Sequence, residues 1–297
     1  MRRGRAPLYA LAAGAVVAAA LALTTPGTTG GFVAKVTNST NTAGTAPYFT
    51  CAGATTADGS ASGSFVWALN ESTGTSAADG SGHSLAGTYG ATITSSATGA
   101  PCARDTGGAL QVSTTGTAGN YVYSALSSVS ALPFSEEIWF KAAASTTNGG
   151  QLLGIGDSYQ SASNKLSTST ALDRVLYLNA TGYLVFGART SSSSATLTSQ
   201  TKLNDGVWHH VVVTVSSSTT TVYIDGAAAT MTLSGTMPVS TTLVARSSQY
   251  WRVGYDDDSG WTGGTKNYFT GSVRFAAFYN STVLTSTQVQ SHWIAGS

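Results

Sequence analysis

Charge is scarce in this chain: Asp, Glu, Lys and Arg together make up 9% of it, against roughly 25% in ordinary soluble domains. Glutamate occurs only at Glu71, Glu136 and Glu137. Basic residues number 14 and acidic residues 13, with no basic stripe, and this excludes nucleic acid as a partner, because phosphate binding needs one. The two cysteines, Cys51 and Cys102, lack a second cysteine at metal-ligand spacing. No G-x-S-x-G elbow precedes a helix, and Gly263-Gly264 lack the strand, loop, helix and lysine of a phosphate loop. Helical periodicity is almost missing, and no repeat of fixed period is visible.

The N-terminus is of a different kind. Arg2, Arg3 and Arg5 precede an apolar run over residues 8–23 that ends in Thr24-Thr25-Pro26-Gly27. That run falls short of the ~20 residues of a membrane span and reads as a secretory signal peptide over residues 1–30. The cleavage point stays open between residues 23 and 31, and an uncleaved anchor is the competing reading. Without those three arginines, 11 basic residues face 13 acidic ones, a net charge of −2. The expected location is secreted or cell-surface. In an oxidising compartment Cys51 and Cys102 are expected to pair, closing a loop that would stabilise the fold by about 4 kcal/mol; two buried thiols are the alternative.

What the chain has in quantity is hydroxyl residues, glycine and strand signal. Its hydrophobic content of 42% suffices for a core. Residues 31–63 read as a polar N-terminal arm, with strand-like alternation over residues 32–37, a loop over 38–45 and a second strand-like run over 47–51. From residue 64 to 297, short apolar runs such as Val175-Leu176-Tyr177-Leu178 are bounded by turn residues. The run from Trp208 to Val215 and that from Thr221 to Ile224 read as a hairpin, with Asp225-Gly226 beginning the next turn. Only residues 286–294 look helical. Many short strands over this length mean an all-β, two-sheet antiparallel sandwich or barrel.

Six motifs occur in a familiar order: Trp67-Ala68-Leu69-Asn70-Glu71 with Asp79-Gly80-Ser81-Gly82, Phe134-Ser135-Glu136-Glu137-Ile138-Trp139-Phe140-Lys141, Asp205-Gly206-Val207-Trp208-His209-His210-Val211, Tyr223-Ile224-Asp225-Gly226, Trp251-Arg252-Val253-Gly254 with Tyr268-Phe269-Thr270-Gly271-Ser272-Val273, and the segment from Leu284 to Val289. Together they resemble the laminin-G-like branch of the concanavalin A-like lectin/glucanase superfamily, over residues 65–295. The resemblance implies a jelly-roll sandwich and a recognition module for a glycan or a cell-surface protein. One departure stands out. Where the family usually carries an acidic pair after G-S-V, this chain has Arg274-Phe275, which puts any calcium held by those acids in doubt.

His209 and His210 are adjacent on a strand and point to opposite faces, so they cannot converge on one ion; both read as core residues. The glucanase relatives' E-x-D-x-x-E is absent, and Glu136 and Glu137 diverge across their strand, so no catalytic residue is assigned. No cofactor is certain. Calcium is the cation best suited to the acidic turns, with Asp79, Asp256 and Asp258 as candidate ligands. Aromatics near an acidic, glycine-rich loop suit sugar faces and hydroxyls, so Tyr255, Asp256, Asp257, Asp258, Trp261 and Tyr268 form the expected contact loop, with Tyr159 a weaker addition. A second expectation is a structural, adhesive protein that self-associates through the N-terminal arm, its strand adding to a neighbour's sheet edge.

Overall fold

The structure, a computed structural model, describes residues 36–37, 42–43, 48–91, 101–112, 121–126, 132–144, 149–157, 168–189, 194–237, 249–266 and 268–297. The chain divides into two compact units, Met1–Thr45 and Ala46–Ser297. In the first, β1 (Val36–Thr37) pairs antiparallel with β2 (Thr42–Ala43). The expected strand over 32–37 is thus described only in its last two residues, and the expected loop after it contains its partner. The expected signal peptide over 1–30 and Tyr159 lie outside the described residues. Among the described residues no helix is long and apolar enough to cross a membrane.

The unit boundary after Thr45 moves residues 46–63, assigned above to the arm, into the second unit. The strand expected over 47–51 is also corrected: Cys51 opens a helix, α1 (Cys51–Asp58). Its sequence carries little helical signal of its own. The helix is held at its start, where Thr50 accepts from the Gly53 N–H and the Asp105 carboxylate accepts from the N–H groups of Cys51 and Ala52, satisfying donors that a helix leaves open. The expected disulfide, Cys51–Cys102, joins this helix start to the loop carrying Asp105.

The second unit is an all-β sandwich of two antiparallel sheets, the jelly-roll class expected. Nine strands run in the spatial order β16 (Met231–Gly235), β12 (Ser194–Lys202), β11 (Tyr183–Arg189), β10 (Leu172–Leu178), β9 (Gly150–Gly156), β17 (Gln249–Val253), β7 (Val122–Leu126), β5 (Gly87–Tyr89) and β4 (Ser76–Ala77). The other sheet runs β15 (Ala227–Ala228), β14 (Thr220–Ile224), β13 (His209–Val215), β8 (Phe134–Ala142), β18 (Gly271–Asn280) and β3 (Phe65–Trp67), with β6 (Leu110–Val112) also on β18. Alternation decides what meets between the sheets. Phe134, Ile138 and Phe140 of β8 and Val211, Val213 and Val215 of β13 join Leu153, Ile155, Leu176, Leu184 and Phe186 of the facing sheet.

The expected β13–β14 hairpin is present, with Val211 opposite Ile224. Asp225 and Gly226 both take positive φ, 53° and 79°, the geometry of the two-residue hairpin turn leading to β15. Asp225 also accepts from the His210 N–H and lies 2.9 Å from His209 Nδ1.

The other residues of the strongest motif work on the far side of β13. His210 stacks on Trp139, which stacks on Trp293 of α2 (Ser286–Gly296). Helix α2 confirms the one helix expected, and a Thr285–Gln288 capping box fixes its start. Beneath it, Glu137 receives His210 Nε2 at 2.8 Å, His292 Nδ1 at 2.9 Å and the Tyr279 hydroxyl. His292 Nε2 reaches Asp58 at 2.9 Å. This buried chain ties α1 and α2 to the sheet.

The Arg274-Phe275 departure also has a structural role. A bulge with Phe275 at φ 46° turns both residues away from the inter-sheet core. Arg274 then donates to the carbonyls of Pro101, Cys102 and Thr106, fixing the disulfide loop onto β18.

Candidate functional site

The connection from β17 to β18 folds back over the outer face of the nine-stranded sheet. Trp261 lies there among Leu172, Val175, Tyr177 and Val185. It fits because position 187 has no side chain: a Cβ on Gly187 would stand 2.5 Å from the indole, inside any allowed contact. Two residues further along the same face, the Arg189 guanidinium sits 4.9 Å from the indole centroid, a cation–π contact that fixes its direction. The Tyr177 hydroxyl donates to the Thr262 carbonyl at 2.8 Å and the Asp258 carbonyl accepts from the Trp261 N–H at 2.9 Å, pinning the loop on both sides of the tryptophan.

Two clefts open beside this indole, of about 370 Å³ and 140 Å³, and both are lined by Gly260 and Trp261. Hydroxyls dominate their walls: Thr168, Ser169, Thr170 and Ser259 in the larger, and Ser194, Thr196, Ser234 and Thr262 in the smaller. The larger cleft adds three charged side chains, Arg189, Asp257 and Lys266. Asp257 accepts from Ser259 and pairs with Lys266 at 3.1 Å, and these contacts hold its carboxyl below the usual range against the upward push of burial.

The six residues expected as a contact loop separate into three environments. Asp257 and Trp261 line the larger cleft. Trp261 is only 7% exposed, so its ring forms the floor of the cleft and does not serve as a free stacking platform. Tyr255 and Tyr268 stack on each other at 3.9 Å between centroids, beside Tyr121 and Tyr123; Tyr255, at 6% exposed, faces protein. Asp256 and Asp258 are fully buried. Asp256 pairs with Arg252 at 3.0 Å and accepts from the N–H and hydroxyl of Ser169. Burial lifts its carboxyl above the usual range, and Arg252 and Ser169 offset part of that lift.

The candidate calcium ligands belong to two separate turns, one at Asp79 and one over residues 256–258. Asp79 receives four donors, the N–H groups of Val66, Ser81 and Leu85 and the Ser81 hydroxyl, which pins the turn expected from its D-x-S-G sequence. Asp256 is engaged as above. Of these three aspartates, only Asp258 has both carboxylate oxygens buried without a hydrogen-bond partner among the described residues. Burial, with Asp256 and Asp257 adding to it, holds its carboxyl well above the usual range. The one cluster of three candidate metal ligands among the described residues is Cys51, Cys102 and Asp105, whose sulfurs are already joined to each other. This donor set does not fit a single calcium ion.

Glu136 and Glu137 diverge as expected. Glu136 lies fully buried beside Arg174 and Asp173 of β10, while Glu137 faces the helices. Among the described residues the cleft lining holds one carboxylate, Asp257. Sequence reading missed Arg189, Lys266 and Gly260. Arg189 carried a signal in hindsight, a charge closing an apolar strand two residues after a glycine, but its meeting with Trp261 spans 72 positions and only the fold makes it.

No curated protein sequence matches the chain. Among solved structures, the botulinum neurotoxin DC binding domain, determined with rat synaptotagmin II, is 11% identical with a TM-score of 0.50, over 76% of this chain and 52% of that one. A Trypanosoma rangeli sialidase, determined with 2,3-difluoro-KDN, is 11% identical with a TM-score of 0.48, over 77% and 32%. A pentraxin from Limulus polyphemus is 15% identical with a TM-score of 0.41, over 61% and 79%. The chain spans about a third of the sialidase and about half of the toxin domain, and these likenesses concern the fold. The family model described as the concanavalin A-like lectin/glucanases superfamily, Laminin_G_3, matches residues 114–290, more than half of the chain. With its two-sheet jelly roll and its ordered motifs, the chain belongs to that laminin-G-like family.

Proposed function

We propose that this protein is a secreted or cell-surface recognition module without catalytic activity, and that it binds carbohydrate in the paired clefts flanking Trp261. The observation that carries the reading is the composition of those walls: hydroxyls in both clefts and three charged groups in the larger, over an indole floor fixed by Gly187 and Arg189. In the larger cleft Ser169, Thr170 and Ser259 already give their hydrogens to Asp256, Asp157 and Asp257, so their oxygens are left to accept from the hydroxyls of a sugar ring. A single carboxylate in the lining, already paired with Lys266, favours binding over glycoside hydrolysis, which usually needs two. The botulinum neurotoxin DC binding domain, which shares this fold, has been determined in complex with SialylT. Fold alone does not assign function, so the weight rests on the clefts.

Gly260 offers a direct test. It lines both clefts, and a Cβ placed on it meets nothing within 4 Å, so Gly260→Trp adds bulk at the shared rim of the clefts with no clash at the Cβ. The experiment is a glycan array of wild type and Gly260→Trp, run with calcium and with a chelator. Binding by wild type that Gly260→Trp loses, at an unchanged melting temperature, is the expected result. A wild type that binds no glycan, or a variant that binds as well as wild type, contradicts the assignment. The chelator arm tests calcium separately, and loss of binding there would reinstate a metal.

A further inference from the structure

Arg189 carries the only charge in the larger cleft, among the described residues, that is not answered by an opposite one. Asp257 is engaged with Lys266, Asp256 with Arg252 and Asp173 with Arg174, and the carboxyl of Asp258 is fully buried. Asp157, behind the cleft wall, accepts from Thr170 and Ala171. Among the described residues no carboxylate lies within ion-pair distance of the Arg189 guanidinium, whose contact is the face of Trp261. The guanidinium is half-buried and held in direction, yet its fork of donors is left for something from outside.

That arrangement has a chemical meaning. A guanidinium is a planar set of donors that matches a carboxylate or sulfate with two parallel hydrogen bonds. Held against an indole, it does not have to be ordered when the ligand arrives. Lys266 stands on the same cleft wall, with its side chain 57% exposed, and can turn from Asp257 toward a second anionic oxygen, because an exposed pair of this kind is weakly held. The buried Trp261 ring adds the complementary point: with so little of its face open, the cleft selects by charge and hydrogen bonds.

We propose that the larger cleft takes an acidic saccharide, its carboxylate or sulfate group held by Arg189 and its hydroxyls by the Ser and Thr side chains of the wall. This rests on the reading of the cleft as the ligand site and adds the ligand class to it.

The probes are polygalacturonate for carboxylate, dextran sulfate for sulfate, and neutral dextran, titrated calorimetrically into the full chain as wild type, Arg189→Gln, Arg189→Lys and Gly260→Trp. The expected result is binding of one or both acidic polymers in preference to dextran. Arg189→Gln is expected to weaken it by about tenfold or more, the size of a charge-assisted hydrogen bond, with part of the loss recovered by Arg189→Lys. The polymer bound identifies carboxylate or sulfate. Melting temperatures of the four proteins guard against a folding effect. Acidic binding that Gly260→Trp removes and Arg189→Gln leaves unchanged overturns the role of Arg189 and keeps the cleft, and dextran bound as tightly as the acidic polymers overturns the acidic class and keeps the cleft. Acidic binding indifferent to both substitutions, or no binding of any polymer, overturns both readings.

Discussion

The indole of Trp261 rests directly on Gly187, where a single added methyl would stand 2.5 Å from the ring. The cleft floor therefore depends on a glycine in the middle of a strand, a position where glycine is otherwise costly. Gly187→Ala should destabilise the protein by about 1–3 kcal/mol, the usual cost of overpacking a filled site. It should also lift Trp261 and weaken saccharide binding together with stability. Urea unfolding gives the first quantity and calorimetric titration the second. An alanine variant with wild-type stability and binding would show that the indole contact is not what shapes the cleft.

A second prediction concerns the chain of side chains under α2. Burial pushes the His292 imidazole down, but the charge of Glu137 and the hydrogen bonds to Asp58 and Glu137 outweigh it and raise its pKa from 6.5 to about 10. A raised pKa means stability that is fully present below 6.5 and lost as pH rises through about 10. Glu137 behaves oppositely. Burial raises it, but the charge of His292 and the hydrogen bonds to His210 and His292 outweigh that and hold it well below 4.5, so its contribution is full above 4.5 and lost toward strong acid. Both contributions are complete between 4.5 and 6.5. Tyr279, hydrogen-bonded to Glu137, and Gln288, bonded to Asp58, are the other polar groups in the chain. His292→Gln should lower stability by about 3–5 kcal/mol and remove this alkaline decline. Urea midpoints measured from pH 5 to 10 check it, and a variant that keeps the wild-type slope contradicts it.

Asp258 makes a third case. Its carboxyl is raised well above 3.8 by burial first, then by Asp256 and Asp257. A carboxylate raised in the folded state binds more protons folded than unfolded, so it costs stability increasingly as pH rises above 3.8. Asp258→Asn cannot ionise and should flatten that part of the pH profile, gaining on wild type between pH 4 and 7. Thermal melts at both values decide it. A wild-type melting temperature that climbs with added calcium and stays fixed in Asp258→Asn would instead place a cation on this carboxylate.

The parts of this fold legible in the sequence were those decided by neighbours along the chain. The β13–β14 hairpin and its Asp225-Gly226 turn depend on local alternation and on residues suited to positive φ. Likewise α2 carries its own capping box. Helix α1 was not legible, because a segment rich in Ala, Gly and Thr becomes helical through Asp105 and a disulfide partner 51 positions away. The acidic run at 256–258 misled for a related reason. Three adjacent aspartates suggest one shared ion, but their side chains go to Arg252, to the cleft wall and to a buried site. His210 was legible as a packed residue; its partners Glu137 and, through it, His292 were not, since they come from another strand and from the C-terminal helix.

In the proposed function, ligand enters beside Trp261. The most direct measurement follows the indole N–H resonance of Trp261, identified by its loss in Trp261→Phe, while the bound saccharide is titrated into isotope-labelled protein. This resonance is expected to shift in proportion to the bound fraction. Entry there would be contradicted if Trp261 stayed unmoved while resonances of Tyr223 and Gly226, in the groove between β15 and α2, followed the titration instead.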